Sequence, residues 1–110
     1  MNLLGKGLDN IVELIDETVK KVALGLYINL NHNSYTYYKK SFKLLVIENP
    51  LQAYNLIKEI SSSSTTRLLF KIICRALNFD SSKFIFYSGC IVSTENGDEK
   101  PFKDMIDSIQ

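Results

Sequence analysis

Apolar residues recur with a helical period through the first quarter of the chain. Between Leu8 and Leu26 the steps from one apolar position to the next alternate between four and three residues, which places them on one face of a helix. These positions are Leu8, Val12, Ile15, Val19, Val22 and Leu26. Lys20 and Lys21 lie toward the end that the helix dipole makes negative. The pattern predicts an amphipathic helix over 8–26, followed by an asparagine-rich loop around His32.

A second helix is predicted from Ser34 to about Ile47. Serine is a favoured residue at the position before a helix, because its hydroxyl can accept from an unpaired backbone N–H. The helical spacing then places one set of apolar side chains on a shared face, which we expect to pack in the core. This set is Tyr35, Tyr38, Phe42 and Leu45.

Two more helices are predicted between Asn49 and Asn78. Asn49 followed by Pro50 is a typical start, because proline is favoured at the first helical position, and this third helix extends to about Ile60. After the polar run 61–66, a fourth helix covers about 65–78. It is apolar on nearly all sides, which indicates a central position in the fold.

The last thirty residues are compatible with two structures. The segment from Phe84 to Val92 is rich in aromatic and branched residues, as strands are, whereas Asp80 and the serines that follow it can cap a helix. The region of about 84–100 is therefore either a further helix or a short β-hairpin, and a short amphipathic helix follows from Pro101. The predicted fold is mainly α, a single domain over 1–110 built as a compact bundle of four to five helices, with the first helix packed on 68–77.

Composition narrows the classes of protein to consider. The 110 residues are 45% hydrophobic and 23% charged, which is ordinary for a globular domain. With one histidine and two cysteines, Cys74 and Cys90, the chain lacks the four ligands of a structural zinc site. We interpret both cysteines as reduced core thiols. The uncharged run from Val22 to Leu30 is too short to cross a membrane. No secretory signal is evident, so we expect a cytoplasmic protein without a metal or cofactor and without membrane contact.

The charges are segregated along the chain although the net charge is only +1. Residues 18–79 contain nine lysines and arginines against Glu48 and Glu59, whereas both ends of the chain are acidic. Acidic ends and a basic middle can attract one another between copies, so self-association or assembly into a larger complex is expected.

Six basic residues form two helical stripes that are candidates for contacts with a nucleic-acid backbone. Tyr37, on a different face from its neighbouring tyrosines, is a candidate for stacking on an unpaired base. The candidate site comprises Lys39, Lys40, Lys43, Arg67, Lys71, Arg75 and Tyr37. The sequence therefore predicts a non-catalytic module that binds RNA or DNA through its phosphates. The same stripes are also compatible with a surface that binds acidic protein, or with a solvated helix face.

The sequence gives less support to other functions. The helices around 61–64 resemble the spacing of a helix-turn-helix, but the segment 95–99 that would form a wing tip is acidic and would repel phosphate. No phosphate-binding glycine loop occurs, and the single histidine lies in no recognisable catalytic context, so an enzyme is not expected. The alternative is a small protein–protein adaptor or inhibitor, of the kind that viruses or mobile elements encode, with Phe84 to Val92 as its contact.

Overall fold

The computed structural model describes the backbone of residues 3–77 and 84–108 and the side chains of residues 9–77 and 89–107. Within these ranges the chain forms seven helices and no strand, so the mainly α class is confirmed and the number of helices exceeds the predicted four to five. They are α1 (Leu3–Val22), α2 (Leu24–Tyr38), α3 (Phe42–Glu48), α4 (Pro50–Ile60), α5 (Ser63–Leu77), α6 (Phe84–Glu95) and α7 (Lys100–Ser108).

The centre of the fold is the contact between α1 and α5, as the sequence predicted. Ile15 and Val19 of α1 are buried, and so are Phe70 and Ile73 of α5. Each such side chain contributes about 1.5–3 kcal/mol when it leaves water. Because α5 also packs against α4 and α6, it occupies the central position that its apolar composition indicated.

The predicted loop around His32 is wrong, because residues 29–33 lie inside α2. The asparagine amides, which often favour turns, donate within the helix: Asn31 Nδ2 to the Tyr27 carbonyl at 3.2 Å and Asn33 Nδ2 to the Asn29 carbonyl at 2.8 Å. The complete burial of Leu30 against the core then favours the helix over the local turn preference. The break between the first two helices lies instead at Ala23, whose φ and ψ are −149° and 70°.

The predicted helix from Ser34 to Ile47 is two helices. Lys39 has a φ of 62°, in the left-handed region that ends many helices, and its N–H donates to the Tyr35 carbonyl at 3.2 Å. Ser34, predicted as an N-cap, instead donates from Oγ to the Lys40 carbonyl at 2.7 Å and holds this reversal in place. The change of direction separates the predicted apolar face: Phe42 is buried, whereas Tyr35 is exposed.

The C-terminal region is helical, so of its two predicted structures the helix is confirmed and the hairpin is wrong. Cys90, Ile91 and Thr94 of α6 are buried, a spacing that a helix face provides and an alternating strand does not. Gly97, with a φ of 100°, provides the turn between α6 and α7. Among the described side chains, the rings of Tyr54, Phe70 and Phe102 pack against one another in the core between α4, α5 and α7. The predicted end of the fourth helix, Asn78, lies outside the described residues.

Candidate interaction surface

The first basic stripe is partly engaged in ion pairs with carboxylates of the same chain. Lys40 Nζ lies 2.6 Å from Glu48 Oε1, and Lys43 Nζ lies 3.1 Å from Glu13 Oε1. The hydrogen bond to Glu13 raises the pKa of Lys43 above its ordinary value. Lys39 has no carboxylate partner among the described residues, and its Nζ lies 3.5 Å from the Thr36 carbonyl. Two of the three cations predicted to contact phosphate thus neutralise carboxylates of their own chain.

The second stripe, on α5, is divided in the same way. The Arg67 guanidinium binds Glu95 through both Nε and Nη2, with Nε 3.0 Å from Oε2. This hydrogen bonding raises the pKa of Arg67 and lowers that of Glu95. No described carboxylate lies within 4 Å of Lys71 or Arg75. The cations of α5 that stay unpaired within the described chain are therefore the two nearer its C-terminal end.

The packing of the helices does not join the two stripes directly. The main neighbours of α5 are α1, α4 and α6, whereas Lys39, Lys40 and Lys43 belong to α2, α3 and the turn between them. Tyr37, the predicted stacking residue, is 65% exposed and free to contact a partner. The predicted site is thus an exposed tyrosine with three cations that have no described carboxylate partner, Lys39 at the end of α2 and Lys71 and Arg75 on α5.

A surface that the sequence analysis did not predict runs along α2. Leu24, Ile28 and Tyr35 are 54%, 59% and 57% exposed, and their spacing of four and seven residues places them in one stripe along the helix. The other side of α2 is anchored in the core by Leu30 and Ser34. No Asp, Glu, Lys or Arg occurs between Val22 and Tyr38, whereas each of the other six helices carries at least one. We call Leu24, Ile28 and Tyr35 the α2 face.

One end of the α2 face borders a hollow of about 360 Å³ between α1, α2 and the start of α3. It is lined by Asp16, Tyr27, Ile28, Asn31, Tyr35, Ser41 and Lys43. The Tyr27 hydroxyl donates to Asp16 Oδ1 at 3.0 Å, and its pKa is raised by partial burial and by this hydrogen bond. Ser41 Oγ is buried and has no hydrogen-bond partner in the part of the chain that is described. The hollow thus combines an apolar rim with an unsatisfied polar group.

The other end of the α2 face borders a second hollow, of about 400 Å³. Leu24 lines it together with Glu17, Lys20 and Lys21 of α1. Lys20 and Lys21 outnumber Glu17, so this hollow carries one net positive charge. The hollow beside Ile28 contains Asp16 and Lys43, and Glu13 is bound to Lys43. The two charges that line this hollow, on Asp16 and Lys43, therefore balance.

The two cysteines are buried thiols. Burial raises the pKa of the Cys74 thiol to about 12 and also raises that of Cys90, so neither sulfur ionises readily to a nucleophilic thiolate. Both cysteines are unbridged. Among the described residues no cluster of His, Cys, Asp and Glu has the arrangement of a metal site. None of the described helices has the length and apolar character needed to span a bilayer.

Comparison with known protein families, characterised proteins and solved structures found no match to this chain. Sequence analysis missed the α2 face because it assigned Tyr35 to the core and residues 29–33 to a loop. The signal that could have revealed it is the seventeen-residue run without charge from Val22 to Tyr38, in a chain that is 23% charged.

Proposed function

We propose that this chain is a non-catalytic protein-interaction module that binds its partner through the α2 face. The observation that carries the proposal is a stripe of three large apolar side chains, each more than half exposed, on the one helix without charge. Exposed apolar stripes bordered by polar residues are typical of contact sites between proteins. This function belongs to the adaptor class that the sequence offered as its alternative. The proposed contact is α2, whereas the sequence suggested the segment from Phe84 to Val92.

The α2 face can contribute to the affinity for a partner, and the polar groups beside it can determine the orientation in which that partner binds. Each apolar Å² removed from water is worth about 25 cal/mol, so the two aliphatic side chains and the tyrosine ring can contribute substantially to association. Tyrosine is also enriched at protein interfaces, because its ring is apolar and its hydroxyl can still form a hydrogen bond. The polar groups in the hollow beside Ile28 and Tyr35 then select partners that can complement them.

Photo-crosslinking tests this proposal. A benzophenone amino acid at position 35 is expected to form discrete covalent adducts with protein in cells of the source organism, because this position is central to the contact. The matched control places the same amino acid at position 52, where Gln52 is exposed on α4. Adducts from position 35 that disappear when Ile28 is changed to aspartate support the proposal. An identical adduct pattern from positions 35 and 52 would rule it out.

A second candidate function is binding of RNA or DNA through phosphate contacts in the cytoplasm. It is supported by the cations without a described carboxylate partner, Lys39, Lys71 and Arg75, and by the exposure of Tyr37. The ion-paired Lys40, Lys43 and Arg67 can join only by giving up their carboxylates. Exposed ion pairs of this kind contribute about 0–1 kcal/mol to stability, so a phosphate can compete with the carboxylates for these cations.

The salt dependence of binding measures this second function. If three phosphates are neutralised, the logarithm of the association constant is expected to fall with the logarithm of salt concentration at a slope of about −2 to −3. Changing Lys71 and Arg75 together to glutamate should then abolish retention of single-stranded oligonucleotides, whereas the same change at Lys40 should weaken it less. A slope near zero with both single- and double-stranded ligands would eliminate nucleic-acid binding.

A further inference from the structure

We propose that Asn96 is a site of spontaneous deamidation, at which water converts the asparagine into aspartate and isoaspartate. Asn96 and Gly97 form the turn between α6 and α7, away from the α2 face, so this inference is separate from the proposed function. Of the asparagines in the sequence, only Asn96 precedes a glycine. Because glycine has no side chain to hinder attack by its own backbone nitrogen, this position is the one most open to the reaction.

The reaction begins with attack of the Gly97 backbone nitrogen on Cγ of Asn96. The nitrogen loses its proton and forms a bond to Cγ, while the bond from Cγ to Nδ2 breaks and Nδ2 leaves as ammonia with that proton. Water then opens the resulting succinimide ring. Opening at Cγ gives aspartate, whereas opening at the backbone carbonyl carbon gives isoaspartate, in which the main chain passes through the side chain. Water is the only co-reactant, and this chemistry is one reason that asparagine is a thermolabile residue.

The turn leaves both reacting groups accessible to water. Asn96 lies one residue beyond the end of α6 at Glu95, and both Asn96 and Gly97 are exposed. The Asn96 side chain forms no hydrogen bond within the described chain, whereas the amides of Asn31 and Asn33 donate to carbonyls inside α2. Gly97 has a φ of 100° and open space where a side chain would begin, so its backbone can change conformation without a steric clash.

One hydrogen bond holds the attacking nitrogen in the native turn. Gly97 N donates to the Thr94 carbonyl at 3.0 Å, so this bond must open before the nitrogen can turn toward Cγ of Asn96. A hydrogen bond at the exposed end of a helix opens more readily than one in the packed core, because little packing is lost when the end frays. The rate of deamidation is therefore set by opening of this turn and does not require unfolding of the whole chain.

Isoaspartate at position 96 is expected to loosen the packing of α7. The turn is anchored on both sides to α4, because Glu95 binds the Tyr54 hydroxyl and Glu99 accepts from the Leu51 N–H at 2.9 Å. Isoaspartate adds one carbon atom to the main chain between these two anchors, so the turn must rearrange or one of the two contacts must be lost. Aspartate keeps the length of the main chain and adds only a negative charge.

Ageing of the whole folded chain in heavy-oxygen water tests the deamidation. The protein is then digested in ordinary water and its peptides are mapped by mass spectrometry, so only oxygen gained during ageing carries the label. Label is expected at position 96 and to appear at least about tenfold faster at about pH 8 than at about pH 6, because the attacking nitrogen must lose its proton. Asn55, exposed on α4 and followed by leucine, is the control within the same sample, and Asn96→Gln should remove the label. Labelling of Asn96 no faster than that of Asn55, or labelling only after unfolding in urea, would overturn the proposal.

Thermal unfolding of the separated products tests the effect on α7. Ion exchange resolves them from the parent, because each carries one more negative charge at neutral pH, and an isoaspartyl methyltransferase identifies the isoaspartyl form. That form is expected to melt at least about 4 °C below the parent, whereas Asn96→Asp, which reproduces the charge alone, should melt within about 2 °C of it. Equal melting temperatures for the isoaspartyl form and the parent would overturn the loosening of α7, and an equal loss in Asn96→Asp would assign it to charge instead of main-chain length.

Discussion

Replacing Phe70 with alanine is expected to lower the free energy of unfolding by about 4 kcal/mol. Phe70 is fully buried at the centre of the aromatic cluster. Its ring stacks on that of Tyr54 with 5.3 Å between the centroids and is perpendicular to that of Phe102 at the same distance. Three helices, α4, α5 and α7, therefore lose their common contact when this ring is removed.

Chemical denaturation measures the effect directly. Domains of this kind are stable by about 5–15 kcal/mol in total, so the variant should be close to the limit of folding and melt roughly 20 °C lower than the parent. Leu68→Ala, two positions away and 59% exposed, is expected to change the unfolding free energy by less than about 0.5 kcal/mol. A loss below about 1 kcal/mol for Phe70→Ala would show that the aromatic cluster does not hold these helices together.

The helices that sequence analysis placed well are those in which periodicity and end signals agree. In α4, Asn49 and Pro50 mark the start, and Ala53, Tyr54 and Ile57 then follow the helical period into the core. In α1, residues such as Ile15 and Val19 lie at core positions as the stripe of apolar residues predicted. These elements were predictable because one local pattern determines both the helix and the face that it buries.

The boundary between α2 and α3 could not be predicted in the same way. The chain reverses at Lys39, a lysine in the left-handed conformation, where glycine or asparagine would have been the recognisable residue. The reversal is held by Ser34 Oγ on the Lys40 carbonyl and by Asn31 Oδ1, which accepts from the Phe42 N–H at 3.1 Å. Such contacts depend on how the two helices pack against each other, so no local sequence pattern indicates them.

The candidate site was harder still to predict. Whether a lysine or arginine can bind a partner depends on carboxylates that are far away in sequence but close in the fold. Arg67 binds Glu95, twenty-eight positions away, and Lys43 binds Glu13, thirty positions away. The charge count identified a basic middle segment but not which of its members were already paired. Conversely, the acidic residues of the segment 95–99, which a winged helix would present at its wing tip, are engaged within the fold. In the fold Glu95 binds Tyr54 and Arg67, and Glu99 accepts from the Leu51 N–H at 2.9 Å.

Replacing Glu95 with alanine is expected to lower the free energy of unfolding by about 2 kcal/mol, because it leaves the buried hydroxyl of Tyr54 without an acceptor. That hydroxyl donates to Glu95 Oε2 at 2.7 Å, and the Arg67 guanidinium binds the same carboxylate. Glu95 thus joins α4, α5 and α6 through one side chain. Glu48→Ala is the matched control, because it removes an exposed ion pair with Lys40 and should cost about 0–1 kcal/mol.

The pH dependence of the free energy of unfolding measures the contribution of Glu95 more directly. Hydrogen bonds from Arg67 and Tyr54 hold the pKa of Glu95 below its ordinary value of 4.5, so its contribution is present above pH 4.5 and is lost as the pH falls through the lower folded value. Burial and Glu95 raise the pKa of Tyr54 from 10 to about 12, so its contribution is lost as the pH rises through that interval. Urea unfolding at several pH values should show Glu95→Gln flattening the acid limb and Tyr54→Phe flattening the alkaline limb. If both variants retained the parent's curvature at both limbs, the Tyr54–Glu95–Arg67 contact would have no part in holding α6 to α4 and α5.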